Sequence, residues 1–244
     1  MDLLKIYDYD KKKRLGNNED GGYVIGLINQ IYDGYFSCGV NTEESFSRDF
    51  INKYDYLNSY NSFAFDGTIN KYPEEYLSNE RIKFIKKNIN IFNNENNTNL
   101  DEYLENKSNL FLKMDIEGHE FKWLNNISEN NLNKFSQIVI EFHGIASNYY
   151  KHPRAEEGVS TTDIEKKNVF DKLNKYFYTI HAHGNNWIKV IDGIPDVLEL
   201  TFINKRCVNN IELNKIPFPQ KNLDYPNTIK FDEIILDYYP FVNK

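Results

Sequence analysis

Four groups of side chains in this chain combine residue types and spacing suited to chemistry. The first lies in Leu110-Phe111-Leu112-Lys113-Met114-Asp115-Ile116-Glu117-Gly118-His119-Glu120-Phe121, where an apolar run stops at Asp115 and Glu117 before an amphipathic segment resumes. Asp115 alone would serve as a helix cap, but a cap accounts for one carboxylate and leaves Glu117 beside Gly118 without a reason. The second is Asp66-Gly67, closing the apolar run Ser62-Phe63-Ala64-Phe65. A carboxylate there accepts from both hydroxyls of a ribose at once; its alternative is a turn residue ahead of a glycine. The third is Glu141-Phe142-His143, at the end of Gln137-Ile138-Val139-Ile140. A lone histidine in such a place can be purely structural, but imidazole is the side chain best matched to removing a proton near neutral pH, which makes His143 a candidate base and Glu141 a carboxylate that could orient it. The fourth is His183 with Asn185, placed to face a substrate from the end of a later strand.

The elements that must position these groups are short buried strands. Residues 110–114 are too few for a helix and follow the turn Lys107-Ser108-Asn109, so they read as a strand of a parallel sheet, buried on both faces. In open α/β sheets, ligands bind in the crevice beyond the carboxyl ends of the strands, which is where the acids fall. Tyr35 to Val40 is a second such strand, closed by Gly39, and Phe46, Phe50 and Tyr54 recur every fourth residue in the segment that follows Asn41. Strand, glycine turn and helix together present backbone N–H groups to a cofactor. The G-x-G-x-x-G fingerprint is missing, which argues against a dinucleotide; Gly39 and Asn41 after one strand and Asp66 and Gly67 after the next fit a nucleoside-bearing cofactor with no phosphate on the loop.

Elsewhere, Arg81 to Ile85 alternates as a half-buried strand, with an adenine ring expected near the loop Lys86-Lys87-Asn88. Asn93 to Asn99 reads as a surface loop and Leu100 to Leu104 as a short helix. Phe121, Leu124 and Ile127 form a helical core stripe. Residues 146–168 lack periodicity and carry Tyr149, Tyr150, Lys151, His152, Arg154, Glu156 and Glu157, which predicts a mobile lid over the site, followed by a helix with Val169, Phe170, Leu173 and Phe177 on one face. Strands are predicted at Tyr178 to Asn186, with His181 and His183 on one side, and at Val197 to Ile203.

The whole chain limits the function class. Its 244 residues suit one α/β domain, with 1–30 as an N-terminal extension, 31–205 as the core and 206–244, rich in proline, as a wrapping tail. The excess of 36 acidic over 29 basic side chains, a net charge of -7, repels a phosphate backbone and argues against nucleic acid as partner. The basic run Lys11-Lys12-Lys13-Arg14 reads as a solvated surface segment. Cys38 and Cys207 lie in separate apolar runs, offering neither a disulfide framework nor zinc spacing. With no signal-peptide pattern at Met1 to Asp8 and no apolar run long enough to span a bilayer, a cytoplasmic location is expected.

Taken in order, Asp20-Gly21-Gly22-Tyr23, Ser37-Cys38-Gly39-Val40, Phe65-Asp66-Gly67-Thr68, Lys113 to Glu120, Glu141-Phe142-His143 and Glu199-Leu200 resemble the FkbM-type S-adenosylmethionine-dependent methyltransferases, over roughly residues 14–203. The most specific piece is Lys113 to Glu120, which is similar to that family's K-x-D-x-E-G-x-E signature. The resemblance implies a Rossmann-like class I methyltransferase fold, a seven-stranded mostly parallel sheet flanked by helices, with S-adenosylmethionine as methyl donor. It also implies an oxygen acceptor, frequently a hydroxyl on a sugar, either nucleotide-activated or part of a surface or capsular glycan. By position, Gly39 would lie under the cofactor, Asp66 on its ribose, and Asp115 with Glu117 where the methionine moiety meets the acceptor. The chain departs from the family in having one glycine in the first loop and His119 where a small residue is common. Either His143 as base or a divalent cation held through Asp115, Glu141 or His143 would relieve the acceptor of its proton. The rival readings are an RNA ribose or protein methyltransferase and a non-catalytic sugar- or nucleotide-binding module on the same fold.

Overall fold

The computed structural model describes residues 4–152 and 157–243. Its centre is a seven-stranded sheet formed by β1 (Gly34–Cys38), β2 (Ser62–Phe65), β3 (Lys83–Ile85), β4 (Leu110–Met114), β5 (Phe135–His143), β6 (Phe177–Gly184) and β7 (Val197–Asn204). The spatial order is β6-β7-β5-β4-β1-β2-β3. All pairings are parallel except those of β7, which runs antiparallel to both neighbours. This is the seven-stranded, mostly parallel sheet of a Rossmann-like methyltransferase fold. The chain leaves β1 toward β2 and β3, then crosses back to β4 on the other side of β1. The order therefore reverses between β1 and β4, and the crevice at their carboxyl ends is the switch point where such sheets bind ligands.

Strands buried along their whole length explain the continuous apolar runs, and period-two alternation sorts their side chains into two cores. Tyr35, Phe111 and Val139 face α1 (Ser45–Lys53), whose Phe50 ring lies 4.1 Å from that of Phe111. Phe36, Leu112, Ile138 and Ile140 face the opposite core, with Phe121, Trp123 and Leu124 of α3 (Glu120–Asn126). Short helices α2 (Asp101–Leu104) and α4 (Glu129–Leu132) flank α3 in sequence. The same period places Lys113 and Asp115, and likewise Glu141 and His143, on one side of the sheet at its carboxyl end.

Four segments differ from expectation. The basic run is a strand, Lys12–Leu15, paired with Tyr23–Gly26; Lys12 points its ammonium at His181 (3.5 Å), and only alternate residues are fully solvated. The unpatterned stretch 146–168 contains a small hairpin, Tyr149–Tyr150 with Val159–Ser160, and then the first turn of α5 (Asp163–Tyr176). Thr162 and Glu165 close a capping box there, so the helix starts at Asp163, six residues ahead of Val169, the first apolar residue of its buried face. Arg154 and Glu156 lie outside the described residues. Phe177 is not on that helix but opens β6. Within the Asn-rich loop, Asn97–Thr98 pairs with Asn88–Ile89.

The C-terminal tail packs along β6 and its end. His181 meets Asp224 at 2.7 Å, Asn186 is held by Thr228 and Phe231, and Asn227 donates to Glu199 at 2.7 Å. No helix among the described residues is long and apolar enough to cross a membrane.

Candidate active site

Each residue of the stretch from Lys113 to Glu120 has a distinct task at the switch point. Lys113 is buried and donates to the Gly39 carbonyl at 2.6 Å, so β4 holds the turn that ends β1. The Asp115 N–H bonds the Cys38 carbonyl (2.9 Å) and the Gly39 N–H bonds the Phe65 carbonyl (3.0 Å), tying together the ends of β4, β1 and β2. Gly39 itself has φ +83, and a Cβ there would stand 1.6 Å from the Asp115 carbonyl oxygen, so glycine is required at this crossing. Glu117 and Gly118 both take positive φ, +55 and +103, which turns the chain sharply off the strand and lifts the Glu117 carboxylate to the rim. Glu120, fully buried, accepts from the N–H groups of Ile116 (3.0 Å) and Gly118 (3.2 Å) and fixes that turn.

The imidazole of His143 closes the site from β5. Its Nδ1 stands 3.1 Å from Glu120 Oε1, while Nε2 faces Glu117 Oε2 at 3.4 Å and Asp115 Oδ1 at 3.9 Å. Glu120, not Glu141, is therefore the carboxylate that orients His143. Glu141 faces Glu199 across the β5–β7 register and accepts from Asn185 at 2.7 Å. Tyr23 from the N-terminal hairpin reaches Asp115 Oδ2 (3.5 Å). The expected cover is partly in place: Tyr150 lies against the His143 ring, centroids 4.7 Å apart, its hydroxyl 3.5 Å from Glu117, and His152 approaches Glu117 at 3.8 Å.

Acidic side chains outnumber basic ones at this rim and press on one another. Burial opposes a charge on His143, but Glu120, with Glu141 and Asp115 behind it, outweighs burial and raises the imidazole to about 10. The surrounding acids therefore favour the charged form of the imidazole. Burial and the Asp115 charge push Glu117 up to about 7, against the pull of His143. Burial, then Asp115, pushes the Glu141 carboxyl well above its usual range. Burial works against the Lys113 charge too, but Asp115, Glu44 and Glu141 outweigh it and keep the ammonium charged. Repelled carboxylates around two cations suit a positively charged ligand.

The second-strand acid is held differently. Asp66 Oδ2 accepts from the N–H groups of Val40 (3.1 Å) and Asn41 (2.9 Å), and Oδ1 from the Thr68 N–H (2.7 Å) and hydroxyl (2.5 Å). Burial alone would raise its pKa, but these donors lower it. Asp66 thus shapes the β1 turn, with Asn41 in the left-handed region, and its lone pairs are occupied there. Gly67 sits against Asn88, whose side chain accepts from its N–H at 3.2 Å.

His183 and Asn185 are buried rather than facing an open site. His183 bridges Glu199 and Glu233 of the tail, each at 3.2 Å, and Asn185 reaches the rim only through Glu141. The residues that sequence reasoning passed over are Lys113, Glu120 and Tyr23. The first two were visible as fixed ends of the motif, but their partners, Gly39 and His143, are distant in sequence. Two surface depressions of about 570 and 370 Å³ lie elsewhere, beside Ile28 and Tyr54 and beside Lys215 and Asp237, and neither gathers such a set of acids and imidazole.

A sheet of this order, with its crevice at the switch point, is that of the Rossmann-like methyltransferase fold. The family model described as the methyltransferase FkbM domain matches residues 18–179, and the chain belongs to that family. No curated protein matches the chain. Membership implies S-adenosylmethionine as donor, and the residues present fit it. Gly39 lets the turn after β1 lie directly against Asp115 with no side chain between them, and one buried Asp115 oxygen at the rim has no hydrogen-bond partner.

Proposed function

We propose that the protein is an O-methyltransferase that methylates a sugar hydroxyl. The observation that supports this most is the convergence of Asp115, Glu117 and His143 beside the Gly39 turn. Bound S-adenosylmethionine supplies an already activated methyl group, so the chain's task is to hold the acceptor oxygen in line and relieve it of its proton. Gly39, Asn41 and Asp66, with Gly67 behind them, are the proposed cofactor floor, and Asp66 acts by fixing the turn through Val40 and Asn41. Asp115 and Glu117 place negative charge where a sulfonium and an acceptor would meet. His143, held by Glu120, aims Nε2 at the same point.

A sugar hydroxyl is a poor acid and a good hydrogen-bond donor, and a rim of carboxylates accepts such donors. The excess of acids over Lys113 and His143 at this rim favours a neutral glycan unit over a nucleotide-activated sugar, whose diphosphate it would repel. It equally disfavours RNA.

An acceptor screen with labelled S-adenosylmethionine and mass detection tests the reading. A methylated neutral sugar, with turnover lost in His143→Ala and Asp115→Ala, is the expected result. Near wild-type turnover in both variants would remove the assignment.

A further inference from the structure

We propose that Asp115, Glu117 and His143 form a binding site for one divalent cation, with positions left open for hydroxyls of the acceptor. The cation site stands on the geometry alone, while the role of the open positions rests on the methyl-transfer reading above.

One ligand atom from each of the three residues lies within 4.8 Å of the others. In an octahedral site with bonds of about 2.1 Å, neighbouring ligands stand about 3 Å apart and opposite ones about 4.2 Å. The observed separations from His143 Nε2, 3.4 Å to Glu117 and 3.9 Å to Asp115, fall between these values. Too long for good hydrogen bonds, they leave room for an atom between them, with the three ligand atoms, within 4.8 Å of one another, drawing in as it binds.

Two further observations point to a ligand. Asp115 Oδ1 is a buried oxygen that accepts no hydrogen bond, an arrangement that costs free energy unless a cation or donor fills it. The His143 ring, only 5% exposed, has its Nδ1 tethered to Glu120 and its Nε2 turned into the carboxylate pair without a hydrogen bond of its own. A histidine whose far nitrogen is held by a buried carboxylate is the usual outer arrangement of a metal-binding imidazole. A plain ion-pair network accounts for the His143 contacts with Glu120, Glu117 and Asp115, but at 3.9 Å it leaves Asp115 Oδ1 without a hydrogen bond.

Two carboxylates and one imidazole suit a cation of the Mn²⁺ class. Three protein ligands leave about three octahedral positions for water or for two adjacent sugar hydroxyls. A hydroxyl bound there is acidified, and its proton leaves to solvent water. His143 then serves as ligand through Nε2, and any proton on that nitrogen is released to water as the cation binds.

The test is calorimetric titration of the full chain with Mn²⁺, alongside pulsed electron paramagnetic resonance of the bound ion. One Mn²⁺ per chain is expected, with an imidazole nitrogen coupling that disappears in His143→Gln. Affinity should fall at least tenfold in Asp115→Asn and Glu117→Gln, and by about 10–100-fold in the positioning variant Glu120→Gln. Glu129→Gln, on the distant α4 surface, should bind as the wild type does. Glu117 is half exposed, so its variant keeps the test open if Asp115→Asn fails to fold. Absence of a stoichiometric site in protein that still binds S-adenosylmethionine would overturn this proposal alone. So would Mn²⁺ binding unchanged by Asp115→Asn or Glu117→Gln, or lacking the nitrogen coupling.

Discussion

His143 on β5 and Glu120 at the start of α3 are joined by a 3.1 Å contact between Nδ1 and Oε1. The same carboxylate oxygen also receives the N–H groups of Ile116 and Gly118. One buried acid thus sets both the backbone path that presents Glu117 and the direction in which the imidazole points. Glu120→Gln keeps an acceptor for the backbone but loses the charge behind His143. Turnover is expected to fall about 10–100-fold, the range seen when the outer partner of a site histidine is removed. Steady-state kinetics on the acceptor found by the screen checks it, with kcat affected more than KM for S-adenosylmethionine.

Gly39→Ala places a methyl group against the Asp115 carbonyl at a residue with φ +83. The left-handed backbone costs about 1–2 kcal/mol and the overpacking about 1–3 kcal/mol more. For a chain of this size that lowers Tm by roughly 5–15 °C. Differential scanning calorimetry measures it, and an unchanged Tm would mean that the turn after β1 does not lie against Asp115 as described.

Asp66→Asn exchanges one carboxylate oxygen for an NH₂ group that cannot accept from a backbone N–H. Either the Val40 and Asn41 pair or the Thr68 pair then loses its acceptor. Each buried donor left unsatisfied costs about 1–3 kcal/mol, and S-adenosylmethionine affinity should drop at least about tenfold as the turn loosens. Calorimetric titration of the variant tests both the turn and its proposed place under the cofactor.

His183 gives a pH-dependent stability. Burial opposes its charge, but Glu199 and Glu233, with Asp224 nearby, raise it to about 10, above the ordinary value of 6.5. A raised histidine stabilises the folded state fully below the unfolded value, and that contribution is lost as pH rises through 10. His183→Gln should therefore destabilise by about 3 kcal/mol at pH 6, the scale for breaking a buried pair. The gap from wild type should narrow between pH 7 and 10, as read by denaturant unfolding at each pH.

Much of this architecture was legible in the residues because buried parallel strands are short, apolar and closed by glycine or acids. β1, β2, β4 and β5 and the polar tips of each are found where the pattern puts them. What escaped was set by contacts between distant segments. Nothing in the sequence near His143 selects Glu120 over Glu141 as its partner; that follows from the turn at Glu117 and Gly118, which swings α3 across the end of β5. The burial of His183 depends on the tail returning Glu233 to β6. The start of α5 was readable after all, from Thr162 and Glu165, but three polar residues separate that cap from the first apolar position on its face.

The account depends on one crevice, between Gly39, Asp66 and Asp115, receiving a cationic methyl donor. Isothermal titration calorimetry of the chain with S-adenosylmethionine tests this most directly. Binding of one molecule per chain, weakened at least tenfold in Asp115→Ala, is the predicted result. Absence of binding to the folded wild type, or equal binding to Asp115→Ala, would contradict it.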